Sequence, residues 1–124
     1  MNQQSILLIE DSKGIQAVTK FSLEMDDVWQ VKVANCGTEG LLKAKTINPD
    51  VILLDLILPD MSGVEILEQL QLDDITKSIP VIIFTTELIE AEKLELNHSN
   101  VIGLIIKPFD CLTLSTRIAD ILEQ

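Results

Sequence analysis

The stretch DVILLDLILPDMSG, residues 50–63, holds the pattern that decides the fold. Residues 51–54 are apolar at every position, and an aspartate stands on each side of them. A strand that is apolar on both faces is typical of a parallel sheet covered by helices, whereas a strand with one solvent face alternates apolar and polar residues. Ser62, at the far end of the stretch, can receive the orphan amide hydrogens of a helix start. The stretch therefore predicts a central buried strand followed by a helix.

Four other short apolar runs resemble this one and recur at a regular spacing along the chain. Bounded by polar residues or proline, they also predict strands, and several are apolar at every position. Pro49 and Pro80 lie just ahead of the third and fourth strands. With DVILLD (50–55), the predicted strands are SILLIE (5–10), VKVA (31–34), PVIIFT (80–85) and VIGLIIK (101–107).

Helical spacing of apolar residues follows each of these strands. Ser12, Ser62 and Asp110 are suitable helix N-caps, and Met25 and Trp29 are predicted to pack near the end of the first helix. Five strand–helix units predict an α/β fold, a doubly wound (βα)5 sandwich of three layers around a five-stranded parallel sheet. The predicted inward faces are Ile15, Val18, Phe21, Ser22 and Met25; Leu41, Leu42 and Ala44; Val64, Leu67 and Leu70; Leu88, Ala91 and Leu94; and Leu114, Ile118 and Ile121.

Length and charge bound the function before any motif is considered. The chain has 124 residues, with 9 basic and 20 acidic side chains and a formal charge of −11. This length predicts one domain over residues 1–124, large enough to form a core without disulfides. Nucleic-acid affinity comes largely from lysine and arginine, so a charge of this sign disfavours direct DNA or RNA binding.

Neither a membrane span nor a secretory signal is predicted. The apolar runs are far shorter than the roughly 20 residues that cross a bilayer. The first eleven residues, MNQQSILLIED, have no basic region, and their apolar stretch ends at an acidic pair. We therefore expect a cytoplasmic protein. Cys36 and Cys111 are far apart and form no CxxC motif, which favours buried or half-buried free thiols over a disulfide or redox pair.

Five polar side chains stand at the carboxyl ends of the predicted strands. Functional groups gather at this edge in open parallel sheets. The first strand ends at Glu10 and Asp11, the third at Asp55, the fourth at Thr85 and the fifth at Lys107. Each of them alone has an ordinary explanation as a helix cap, a loop residue or a solvated lysine. Together, on successive strand ends, they predict one site.

The chemistry of this set points to magnesium and phosphate. Three neighbouring carboxylates repel one another unless a hard cation neutralises them. Mg²⁺ takes one or two carboxylates together with water and phosphate oxygens. Lys107 and Thr85 suit phosphoryl oxygens, as a point charge and a hydroxyl donor. Asp55, which ends the central strand, is the carboxylate placed most rigidly for nucleophilic attack on phosphorus.

The segments that carry this set resemble the receiver domains of two-component response regulators, of the single-domain chemotaxis-regulator type with a flavodoxin-like fold. They are ILLIEDS, DVILLDLILPDMSG, PVIIFTT and IIKPFD, in this order over essentially the whole chain. The resemblance implies that Asp55 accepts a phosphoryl group from a phosphohistidine of a sensor histidine kinase or a histidine phosphotransfer protein. The chain would then be a phosphoprotein of a phosphorelay, not an enzyme acting on other substrates.

The resemblance also implies a role for each site residue. Asp11, Asp55 and the backbone carbonyl of Ile57 would ligate Mg²⁺, and Glu10 would act mainly through a water. Thr85 and Lys107 would approach the phosphoryl group, and the peptide bond before Pro108 would be cis. Phosphorylation would switch a surface formed by the fourth strand, the fourth helix and the fifth strand.

Leu104 departs from the family pattern, because it stands where the family usually has an aromatic switch residue. Arg117 matches a dimerisation position of DNA-binding regulators, but Ile102 and Gly103 replace the acidic partners expected there. We therefore expect a monomer or weak dimer that acts through a separate output protein.

Three other functions share parts of this pattern. A phosphohydrolase would want a second aspartate where Ile57 stands, and a nucleotide or flavin binder would want more glycine than EDSKG (10–14) provides. The serious rival is a receiver-fold interaction module that works without phosphorylation, presenting the acidic segment ELIEAEKLELN (87–97). An intact set of five site residues argues against it.

Overall fold

The computed structural model describes residues 3–25 and 27–123. Strands and helices alternate along this part of the chain, and each strand lies within two residues of its predicted bounds. The strands are β1 (Gln4–Ile9), β2 (Trp29–Ala34), β3 (Val51–Leu54), β4 (Val81–Thr85) and β5 (Val101–Ile106). The helices are α1 (Lys13–Glu24), α2 (Gly37–Ile47), α3 (Gly63–Leu72), α4 (Leu88–Asn97) and α5 (Leu114–Leu122).

The five strands form one parallel sheet in the order β2-β1-β3-β4-β5. β1 lies beside both β2 and β3, with Ile9 opposite Ala34 on one side and Leu54 on the other. Strand order reverses between β1 and β3, and the crevice outside the carboxyl ends of strands at such a point is where ligands bind in open α/β sheets. The predicted fold class is confirmed.

Two apolar clusters cover the two faces of the sheet. Residues such as Leu7 and Leu54 pack with Ile66 of α3 on one face. Leu8 and Ile118, by contrast, belong to the cluster on the opposite face, where α1 and α5 lie. Residues of β1, β3 and β4 alternate between the clusters because side chains of a strand point to opposite sides. The central strands are therefore apolar throughout, as the sequence indicated.

The predicted inward face of α1 is only partly right, because Ile15 packs against the core and Ser22 is buried as predicted, but the other three residues are not. Phe21 is 70% exposed and Met25 58% exposed, and Val18 is also exposed. Gln16 is buried instead, because its side-chain amide donates to the Glu10 carbonyl and to Asn35 Oδ1. Ser22, which the sequence predicted to face inward, donates its hydroxyl to the carbonyl of Cys111. Hydrogen bonds thus allow polar residues to face the core, and apolar periodicity could not reveal that Gln16 is one of them.

Other helix predictions need smaller corrections. Leu42, Val64 and Leu88 are exposed, while Ala44, Leu67, Leu70, Ala91, Leu94, Leu114 and Ile118 are buried as expected. Asp110 is not the N-cap of α5, which begins at Leu114. The Asp110 carboxylate instead accepts the Leu112 amide in a turn before the helix, at 2.9 Å.

Two more predictions concern packing residues. Trp29 is buried as predicted, but it opens β2, and its ring nitrogen donates to Ser115 Oγ at 2.8 Å. Cys36 is half-buried and Cys111 is exposed, so the second thiol is not shielded as expected. No helix among the described residues is long and apolar enough to cross a membrane.

Candidate functional site

The ends of β1 and β3 bring three carboxylates together. The Glu10 amide donates to the Ala34 carbonyl and the Asp55 amide to the Ile9 carbonyl, both at 3.0 Å, so the sheet ladder continues into the site. One carboxylate oxygen from each of Glu10, Asp11 and Asp55 lies within 4.8 Å of the others. Glu10 and Asp55 are buried, and Asp11 is exposed. The acidic cluster therefore opens to solvent on the Asp11 side.

Lys107 supplies the positive charge of the site from the end of β5. Its amide donates to the Thr85 carbonyl at 2.9 Å, which holds the residue beside β4. Its Nζ lies 2.6 Å from Glu10 Oε1 and 3.6 Å from Asp55 Oδ2. The Lys107–Pro108 peptide bond is cis, as expected. One ammonium group thus faces two buried carboxylates, and the cluster keeps a net negative charge.

This geometry changes the acidity of Asp55. Burial of the carboxyl group raises its pKa from 3.8 to about 6, and repulsion from Glu10 adds to the rise. Lys107 and the Ile57 amide, which donates to Asp55 Oδ1 at 3.3 Å, act in the opposite direction. The charged form of Asp55 is therefore less favourable than that of an ordinary aspartate, and a further positive charge in the site would favour it.

Thr85 lies at the end of β4 and is buried. Its Oγ1 accepts a hydrogen bond from the Glu87 amide at 3.2 Å. Glu87 is the N-cap of α4, whose start has no side-chain cap. The Thr85 hydroxyl is therefore tied to the first turn of α4.

The loop after Asp55 is held in a narrow hairpin-like shape. Ile57 and Ser62 form an isolated antiparallel bridge, and the Gly63 amide donates to the Leu56 carbonyl at 3.2 Å. A Cβ on Gly63 would lie 2.4 Å from Leu56 Cδ2 and 3.1 Å from its Cα, so no larger residue fits there without a shift. Ser62 caps α3 through a reciprocal capping box with Glu65. These contacts fix the backbone of Ile57 beside Asp55.

Asp60 also holds this loop, and the sequence analysis did not single it out. Its carboxylate accepts the Gly37 amide at 2.8 Å, the Thr38 amide at 2.9 Å and the Thr38 hydroxyl at 2.7 Å. The two amides are among the backbone donors at the start of α2 that have no partner within the helix. The N-cap residue of α2, Cys36, does not accept either of them with its side chain. The same hydrogen bonds, with the Thr38 hydroxyl first, hold the pKa of Asp60 well below its usual range. The only sequence signal for this role of Asp60 is an acidic residue three positions before Gly63. That signal does not identify the partner, because Gly37 lies 23 residues away in the chain.

Replacing Asp60 by alanine is expected to lower the midpoint of thermal unfolding by about 4 °C at neutral pH, as for loss of a helix cap. Because the pKa of Asp60 is lower in the folded chain, its contribution is complete above the ordinary value of 3.8 and is lost as the pH falls further. Differential scanning calorimetry from pH 7 to pH 3 measures both effects. The control is Asp74→Ala, at a side chain that is 92% exposed. Equal losses in the two variants would show that Asp60 does not hold the loop.

The donor set fits a hard divalent cation. Carboxylate oxygens are ligands of the type Mg²⁺ takes, and a site with few protein ligands leaves positions for water and phosphate. The Glu10 carboxylate already forms an ion pair with the Lys107 ammonium. Asp11 and Asp55 are therefore the carboxylates placed to contact a cation directly.

Comparisons with known proteins agree with this geometry. The family model for the response regulator receiver domain matches residues 6–119. Hybrid signal transduction histidine kinase D of Dictyostelium discoideum is 30% identical over 99% of this chain and 8% of that protein. The alkaline phosphatase synthesis transcriptional regulatory protein PhoP of Bacillus subtilis is 32% identical over 100% of this chain and 50% of that protein. The chain thus spans half or less of the length of these two relatives.

Solved structures of receiver domains also superpose closely on this chain. Chemotaxis protein CheY4 of Vibrio cholerae superposes with a TM-score of 0.85 at 28% identity, covering 97% of this chain and 99% of that one. A CheY-like receiver domain protein from Methanospirillum hungatei superposes with a TM-score of 0.83, also at 28% identity, covering 98% of this chain and 95% of that one. The family match covers most of the chain, and the sheet order accords with it. This chain belongs to the response regulator receiver domain family of two-component signalling.

Proposed function

We propose that Asp55 accepts a phosphoryl group from a phosphohistidine of a sensor histidine kinase or a histidine phosphotransfer protein. The observation that carries this proposal is the convergence of Glu10, Asp11 and Asp55 within 4.8 Å, with Lys107 against two of them. Burial of like charges is unfavourable for stability. Clusters of this kind are typical of functional sites that neutralise or transfer charge.

In the proposed step, an oxygen of the ionised Asp55 carboxylate attacks phosphorus in line with the donor imidazole. An O–P bond forms as the N–P bond breaks, and the electron pair of that bond stays on the imidazole nitrogen. The donor protein supplies the activated phosphate, while the receiver supplies position and charge. Lys107, 3.6 Å from Asp55 Oδ2, would pair with an oxygen of the transferred group.

Asp11, Asp55 and the carbonyl of Ile57 are the proposed Mg²⁺ ligands, with Glu10 acting mainly through a water. When bound, Mg²⁺ would neutralise charge on the carboxylates and on the phosphoryl oxygens. The chain prepares this by holding Asp55 between the Ile57 amide and Lys107, at 3.3 and 3.6 Å. Asp11, the exposed member, leaves a way in from solvent.

A movement of the Thr85 hydroxyl would transmit phosphorylation of Asp55 to the protein surface. If its hydroxyl turns toward a phosphoryl oxygen, the Glu87 amide loses the acceptor that it has at 3.2 Å, and the start of α4 must find another arrangement. The surface of β4, α4 and β5 would then differ between two states and act on a separate output protein. Leu104 replaces the usual aromatic, so this readout would depend on Thr85 and α4. A single domain over residues 1–124, a cytoplasmic location and a monomeric or weakly dimeric state complete the proposal.

The test is incubation of the chain with acetyl phosphate and Mg²⁺, read by intact mass spectrometry. We expect a gain of one phosphate per chain with Mg²⁺ and almost none when the metal is chelated, because the site needs a further positive charge. Heat-unfolded chain is the control for uptake that requires no fold. No gain in the presence of Mg²⁺ would contradict the proposal and favour a receiver-fold interaction module that does not use phosphate.

A further inference from the structure

A cleft lies between the start of α3 and the start of α4, beside the acceptor site. It has a volume of about 270 Å³. Its apolar lining includes Ile57, which is 59% exposed, Val64, which is 41% exposed, and the buried Leu94. Two carboxylate residues, Glu87 and Glu90, also belong to the lining. The cleft therefore combines an apolar floor with an acidic rim.

The acidic rim has little positive charge to balance it. Glu87 forms no ion pair with any described residue, and Glu90 has Lys93 at 3.7 Å on the exposed surface of α4. The helix starts each contribute roughly half a positive charge. That of α3 is already compensated by Glu65 of its capping box. Two carboxylates thus outweigh the Lys93 ammonium and the positive end of α4 together, and the cleft attracts a cation.

The cleft is also joined to the acceptor site through two backbone amides. The amide of Ile57, on one wall, donates to Asp55 at 3.3 Å, and the amide of Glu87, on the other, donates to Thr85 at 3.2 Å. An occupant of the cleft would therefore contact both residues whose backbones hold the acceptor and Thr85. This position would let a partner sense or influence the site without entering it.

We propose that this cleft binds an arginine side chain of a partner protein. An arginine suits it because the aliphatic stem can lie on Ile57 and Val64 while the flat, weakly hydrated guanidinium reaches both glutamates. Glu87 and Glu90 are three residues apart at the start of one helix, a spacing that puts side chains on the same face. The inference goes beyond the proposed phosphoacceptor function and does not require Asp55 to be phosphorylated.

The test uses butylguanidinium as the probe of the full, unphosphorylated chain, with methyl NMR as the readout. We expect saturable shifts of the methyl signals of Ile57, Val64 and Leu94 and a much weaker response to neutral butylurea. Glu87→Gln with Glu90→Gln is expected to weaken binding about fivefold, the sum of two exposed ion pairs. Val64→Trp, which fills the mouth without changing charge, is expected to abolish the shifts.

The matched control is Glu92→Gln with Glu95→Gln, which removes the same charge from exposed positions of α4 outside the cleft. This control is expected to bind the probe like the wild-type chain. Equal weakening in both double variants would overturn the proposal, since it would show general attraction to an acidic protein. Equal shifts with butylurea, or shifts confined to other methyl groups, would overturn it as well. Thermal unfolding of each variant checks that its fold is retained.

Discussion

The Asp55→Asn variant is expected to take up no phosphate from acetyl phosphate and yet to be more stable than the wild-type chain at pH 7 without Mg²⁺. Uptake disappears because the attacking carboxylate oxygen is gone. Stability rises because the wild-type chain holds the Asp55 charge in a buried position near that of Glu10. An amide has the same shape without the charge, so the repulsion is removed.

The size and the pH dependence of this gain follow from the raised pKa of Asp55. A rise from 3.8 to about 6 corresponds to roughly 2–3 kcal/mol at pH 7. Between about pH 4 and pH 6, the folded wild-type chain binds a proton that the unfolded chain has released, so its stability falls as the pH rises through this window. Asp55→Asn lacks this fall. The difference between the two proteins should therefore be small at pH 4 and complete at pH 7.

Urea unfolding at several pH values, with and without Mg²⁺, measures the difference. Saturating Mg²⁺ should stabilise the wild-type chain more than the variant, because the cation binds the ionised carboxylate. Asp11→Asn is the matched control in the same acidic cluster, and its smaller gain reflects an exposed carboxylate. A variant that is less stable than the wild-type chain at pH 7 would contradict the assigned burial and repulsion.

Replacing Lys107 by methionine is expected to slow phosphate uptake by about 10²-fold or more, the usual cost of losing one group that stabilises a transition-state charge. Nζ of Lys107 is the single described cation that contacts the acidic cluster, 2.6 Å from Glu10 and 3.6 Å from Asp55. Methionine keeps much of the aliphatic length of the lysine and removes the Nζ ammonium, which lies over the Phe84 ring 5.1 Å from its centroid. A slower phosphate uptake by Lys107→Met would therefore reflect the loss of the ammonium charge more than a loss of packing.

The rate of mass gain with acetyl phosphate and Mg²⁺ measures this effect. Lys45→Met is the control, since Lys45 pairs with Asp73 on the surface at 3.0 Å and is half-exposed. The double variant Lys107→Met with Asp55→Asn should be more stable than Lys107→Met alone, because it removes the repulsion between the buried carboxylates of Asp55 and Glu10. Uptake by Lys107→Met at the rate of Lys45→Met would show that the ammonium does not face the reacting group.

The fold and the placement of the site were predictable because they depend on a pattern that tertiary contacts reinforce. Apolar runs such as Val51–Leu54 fit a strand buried on both faces. Once the strands are parallel, their carboxyl ends share one edge, so Glu10, Asp55 and Lys107 must come near one another. The sequence alone therefore indicated which residues meet, without indicating their distances.

Other features depend on partners that are distant in the chain. Asp60 acts on Thr38 across 22 residues, and the buried Gln16 donates to Asn35 across 19. Phe21 is exposed because hydrogen-bonded polar residues occupy the inner side of α1. No local periodicity contains this information, since each polar group is stabilised inside only by a donor or acceptor from another element.

The most direct measurement locates the phosphate. After incubation with acetyl phosphate and Mg²⁺, borohydride reduction converts an aspartyl phosphate into homoserine, and tandem mass spectrometry of the peptides identifies its position. The account predicts homoserine at position 55, with aspartate retained at positions 11 and 60. Modification at another carboxylate, or an unmodified Asp55 in chains that carry phosphate, would contradict it.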